Sequence, residues 1–83
     1  MRIDVFLNKV CIVKSRSAAA KLCQEQKITV NGRPAKSSKE VKPEDEITVV
    51  LGSRELAISV VAVPDGNVSK AQAPSYYRVI DQK

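Results

Sequence analysis

An α+β fold, with two N-terminal helices packed on a small antiparallel sheet and a short C-terminal tail, is predicted by three features of the sequence. Two stretches near the N-terminus carry apolar residues at helical spacing, an Asn-Gly pair follows an alternating run, and two β-branched runs flank Gly52-Ser53. The 83 residues suffice for one domain with one modest core, because at this length only about 60% or slightly more of the unfolded surface can be buried. With one Phe, two Tyr and no Trp, that core is aliphatic.

Ile3, Phe6, Leu7, Val10 and Cys11 follow the i, i+3, i+4, i+7, i+8 pattern of an amphipathic helix. Asp4 lies in the first turn, where a carboxylate suits the helix dipole, and Ile12 to Lys14 break the phase. A second helix starts at Ser15 or Ser17, since either can cap a backbone amide ahead of Ala18, Ala19, Ala20, Lys21 and Leu22. Its wheel places Ala18, Ala19, Leu22, Cys23 and Gln26 on one side. Arg16 and Lys27 nearly coincide in angle; if the helix reaches Lys27, about 16 Å of axis separates them, enough to bracket a nucleic-acid backbone.

Ile28-Thr29-Val30 alternates as a strand, and Asn31-Gly32 is a hairpin signal because a type I′ turn needs positive φ at both central residues. Pro34 lacks a ladder donor and assigns the return strand to a sheet edge. Lys36-Ser37-Ser38-Lys39 reads as an exposed basic loop and Lys42-Pro43-Glu44-Asp45 as a turn. Ile47 to Leu51 and Leu56 to Val63 then form a second hairpin around Gly52-Ser53. The predicted domain spans residues 1–66, and 67–83 form an extension whose Tyr76, Tyr77, Val79 and Ile80 fold back onto the domain or dock on a partner.

Charge is unevenly distributed. Residues 1–42 carry ten basic and three acidic side chains, a net +7, whereas residues 43–83 carry four basic and six acidic, a net −2. A basic half of this kind points to a polyanionic partner.

Catalysis has few candidates. The chain contains no histidine, so a general base near neutral pH would have to be a strongly shifted carboxylate or lysine in a deep pocket. The three glycines lie in separate turns and build no phosphate-cradling loop. Glu44-Asp45-Glu46 reads as a solvated turn, and Cys11 and Cys23 suit neither a zinc site nor a redox pair and are expected to be small buried thiols. No catalytic residue, metal, cofactor or small-molecule substrate is therefore expected. No apolar run approaches membrane-spanning length, so a cytoplasmic protein is expected, and a monomeric one.

Four segments together resemble a known RNA-binding domain: Arg2-Ile3-Asp4-Val5-Phe6-Leu7; Lys14-Ser15-Arg16-Ser17 with Ala19 and Leu22; Lys27-Ile28-Thr29-Val30-Asn31-Gly32; and Val41-Lys42-Pro43-Glu44-Asp45-Glu46-Ile47. This is the domain first recognised in the fourth protein of the small ribosomal subunit, whose fold is the alpha-L RNA-binding motif. Its free-standing form is similar to the bacterial heat-shock protein fifteen and ribosome quality-control factor P family. That resemblance implies binding to ribosomal RNA, and to tRNA, on large ribosomal subunits with an obstructed nascent chain, in rescue or quality control. The chain departs from the family pattern at Glu25-Gln26-Lys27, where a glycine is common, and its tail matches only loosely.

The candidate RNA-binding residues are Arg2, Lys14, Ser15, Arg16, Lys21, Lys27, Asn31, Arg33, Lys36 and Lys39. Arg16 leads this set because a guanidinium can fork onto a phosphate where lysine supplies a point charge. With no aromatic residue among them, recognition by RNA shape and backbone is expected in place of base stacking. The alternative is a protein-interaction adaptor using its edge strand or its tyrosine-containing tail. A DNA-binding helix-turn-helix fits less well, because the hairpin follows the second helix at once and would crowd a major groove.

Overall fold

The computed structural model describes residues 1–82. Helix α1 (Ile3–Lys9) buries Ile3, Asp4, Phe6 and Leu7. No side chain caps its N-terminus; the amides of Ile3 and Asp4 instead donate to the carbonyls of Lys39 (2.8 Å) and Ser37 (3.3 Å), so the basic loop closes the helix end. At the other end Cys11 adopts φ 63°, with its amide on Asn8 O (3.1 Å) and that of Ile12 on Leu7 O (3.0 Å). These two bonds make a Schellman motif. Cys11 therefore leaves the helical path, and it is exposed, contrary to the expectation of a buried thiol, whereas Cys23 is buried.

Helix α2 (Arg16–Gln24) begins at Ser15, not Ser17: Ser15 Oγ accepts from the amide of Ala18 at 3.1 Å. It ends in a second Schellman motif, with Gln26 N to Cys23 O at 3.0 Å and Lys27 N to Leu22 O at 2.8 Å. Gln26 takes φ 60°, the left-handed conformation that glycine adopts most readily. The helix thus stops short of Lys27, and the bracket expected from the matching angles of Arg16 and Lys27 is not formed. Ala19 and Cys23 face the core, while Gln26, expected on the apolar side, is exposed.

Five antiparallel strands follow: β1 (Ile28–Val30), β2 (Arg33–Pro34), β3 (Glu46–Leu51), β4 (Arg54–Val60) and β5 (Tyr77–Gln82), in the order β2-β1-β3-β4-β5. Val30 pairs with Arg33 across Asn31-Gly32, whose φ values of 53° and 84° are those of the type I′ turn. Pro34 lies on the edge strand, as a residue without an amide hydrogen requires. The second hairpin turns at Gly52-Ser53, with Leu51 opposite Arg54. Its return strand ends at Val60, before the expected Val63, because the amides of Val61 and Ala62 turn to the carbonyl of Tyr76 (2.9 and 3.3 Å).

The tail folds back. A short 3-10 turn (Ala73–Tyr76) delivers β5 antiparallel to β4, with a register shift between Ala57 and Ile58. One core joins both layers, with Ile3, Phe6 and Leu7 of α1, Ala19 and Cys23 of α2, and Ile28, Ile47, Val49 and Ile58 of the sheet. Full burial of each large aliphatic or Phe side chain contributes about 1.5–3 kcal/mol. That core pins the two helices and the β1–β2 hairpin to one another, and so fixes where their charges stand.

Candidate nucleic-acid interface

Asp4 organises the basic residues of the two helices. Its side chain is only 5% exposed, and Oδ2 lies 3.1 Å from Arg2 Nη2 and 3.8 Å from Arg16 Nη2. Oδ1 accepts from the amide of Val5 at 2.8 Å. Both arginine side chains remain about half exposed, and a guanidinium has five donors, so each is oriented by the carboxylate with donors to spare.

The basic loop adjoins this cluster. Its Ser37 carbonyl receives the Asp4 amide, and the backbone of Arg2 pairs antiparallel with that of Glu40 just beyond the loop. A shallow groove between α2 and the loop is lined by Ala20, Cys23, Gln24 and Lys36 to Ser38. The small Ala20 side chain permits this close approach. Burial, and next the negative charge of Asp4, push the Cys23 thiol up, which keeps it protonated and inert at the groove floor.

A second open groove continues between the hairpin and the loop, lined by Val30, Asn31, Arg33 to Lys36, Ser38 and Lys39. Arg33, Lys36 and Lys39 line this groove, while Arg2 and Arg16 meet at Asp4, whose amide bonds the backbone of the same loop; the two adjoining basic groups make up a tract. Asn31 borders it, but its amide group serves the fold: Oδ1 accepts from Glu46 N at 3.0 Å and Nδ2 donates to Asp45 Oδ1 at 3.3 Å. Ser15 likewise spends its hydroxyl on the α2 cap.

Lys14 and Lys21 stand elsewhere. They border a mostly apolar depression with Ile12, Val13, Ala18, Leu22 and Leu51, on the other flank of α2. Lys27 pairs with Glu25 at 3.6 Å beyond the end of α2. The residue that sequence reasoning missed is Asp4, noted there only for its place in the first turn; its two arginine partners are two and twelve positions away, and nothing in the local pattern joins Asp4 to Arg16.

Among the described residues no group of three or more His, Cys, Asp or Glu side chains could hold a metal ion, and no helix is long and apolar enough to cross a membrane. The arrangement suits electrostatic docking of a polyanion on a rigid, concave basic surface.

The S4 domain family model matches residues 1–47. A protein of Bacillus subtilis named RQC P-site tRNA stabilizing factor is 32% identical over all of this chain and 95% of its own length. A protein of the same name from Halalkalibacterium halodurans is 34% identical over 95% of this chain and 89% of its own. Heat Shock Protein 15 of Vibrio cholerae, whose structure is described as trimeric, superposes with a TM-score of 0.88 at 30% identity, over 95% of this chain and 80% of that one.

Proposed function

This chain belongs to the S4 domain family, in the branch of the RQC P-site tRNA stabilizing factors, and from that premise we propose that it binds structured RNA on the large ribosomal subunit. In this reading it grips ribosomal RNA and the P-site tRNA together while a stalled nascent chain is processed, and acts by holding, without catalysis. The observation that carries it is the Arg2–Asp4–Arg16 cluster beside the Lys36–Lys39 loop. Preset guanidinium groups lose little freedom on meeting phosphates, and a monomer is the proposed binding unit.

Binding to purified large subunits carrying P-site tRNA, measured over a range of salt, tests the proposal. With about five phosphates contacted, log affinity falls against log salt with a slope of roughly −3.5 to −4.5. Arg16→Glu abolishes binding with the fold intact. A salt-independent affinity, or full binding by Arg16→Glu, overturns the reading.

One observation favours a second reading, an adaptor: β5 is an outer strand, and Val79 and Ile80 on it are about half exposed. Ile80→Lys separates the two, because an adaptor loses its protein partner while an RNA binder keeps its affinity.

A further inference from the structure

Arg16 faces a groove that the tract described above does not include. On this side it meets Asn8 and Lys9 from the end of α1 and Asn67 and Lys70 from the segment after β4, with Cys11 also in the wall. Lys9 Nζ donates to the carbonyl of Gly66 at 3.1 Å and ties the two banks together. Three cations and two carboxamides line this concavity and no carboxylate does. Asp4, which offsets Arg16 on the other flank, is not part of it.

We propose that this groove is a second phosphodiester-binding subsite, in which Lys9, Lys70 and the outer side of Arg16 take an RNA backbone segment separate from the one on the hairpin-loop tract. The inference rests on the RNA-binding reading and adds to it. Like charges gathered in a concave surface, with their one paired carboxylate, Asp4, outside its wall, focus a positive potential there, and an anion relieves it. Carboxamides and guanidinium groups donate to phosphate and sugar oxygens, and such contacts position RNA without reading its sequence. Asn67 and Lys70 lie beyond residues 1–47, so the segment after the S4 match supplies two of the five cations and carboxamides of the subsite. RNA is favoured over an acidic protein because Arg16 is shared with the main tract, which makes the two surfaces contiguous.

Cys11 offers a direct test, since it is exposed in the groove wall while Cys23 is buried with its thiol pushed up. An iron–EDTA reagent tethered to Cys11 is compared with the same reagent on Ser38→Cys in a Cys11→Ser background, on large subunits carrying P-site tRNA. The two positions are expected to cut different backbone segments. Lys9→Gln and Lys70→Gln are each expected to weaken binding about 3-fold or more and to make the salt slope shallower by roughly 0.7–1. Lys70→Gln guards against a purely structural effect, because Lys9 also braces Gly66.

No cutting from Cys11 and an unchanged slope in Lys70→Gln, with cutting from position 38 retained, overturns the subsite and leaves the RNA reading standing. Loss of cutting from both positions, together with full binding by Arg16→Glu, overturns the RNA reading and the subsite with it.

Discussion

Arg16 Nη2 stands 3.8 Å from Oδ2 of Asp4, a carboxylate almost sealed from solvent. The pair ties the start of α2 to the first turn of α1, where the helix dipole also favours a negative charge. Because the arginine is more than half exposed, solvent screens much of the attraction, and its main consequence is orientation.

Asp4→Asn keeps the size of the side chain and removes the charge. RNA affinity is expected to fall about 3- to 10-fold while stability drops by only about 1 kcal/mol, the usual range for a partly exposed ion pair and a dipole contact. Thermal melts and subunit binding on the same preparation check this. An unchanged affinity would show that Arg16 does not depend on Asp4 for its position.

Gln26 occupies the left-handed residue of a Schellman motif at φ 60°, where a side chain crowds the backbone and glycine does not. Gln26→Gly is therefore expected to stabilise the protein by about 0.5–1 kcal/mol, the left-handed penalty less the added entropy of the unfolded chain. Urea titration reads the midpoint. A lower midpoint would mean that the glutamine side chain contributes a contact of its own.

Asn31 combines turn geometry with two side-chain hydrogen bonds, one to Asp45 and one to Glu46, the first residue of β3. Asn31→Ala leaves the Glu46 amide without its partner and puts alanine at φ 53°, for an expected loss of about 1–2 kcal/mol. Since both ends of the amide are engaged within the protein, RNA affinity of the folded variant is expected to change less than about 2-fold. A larger loss would give this side chain a direct part in binding.

Glu40 accepts a 2.7 Å hydrogen bond from the Met1 ammonium, and this bond, then the ammonium's charge, hold its carboxyl below the ordinary 4.5. A carboxyl whose pKa is lower in the folded state adds stability above its unfolded value, and that stability is lost as pH falls through the folded value. Wild-type stability should therefore decline below about pH 4.5 more steeply than that of Glu40→Gln. Parallel melting curves between pH 6 and about 3 would instead assign the acid sensitivity to other carboxylates.

Much of the fold was legible in the sequence because it is set by neighbours along the chain. The hydroxyl of Ser15 reaches an amide three residues on, Asn31-Gly32 accepts positive φ where few pairs do, and Pro34 has no hydrogen to give a neighbouring strand. The exposure of Cys11 was not legible, because apolar spacing does not say at which residue a helix turns into a left-handed cap.

The basic half of the chain was likewise plain from composition, but its division was decided by tertiary contacts. Lys14 and Lys21 fall on one flank of α2, while Arg2 and Arg16 converge on Asp4 and the Lys36–Lys39 loop is drawn against them by amides of α1. The same holds for β5, whose partner strand ends 17 positions before it begins. Local preferences chose helix, turn and strand; only packing between distant segments could set which charges share a surface, because charge carries no information about the direction in which a folded backbone points it.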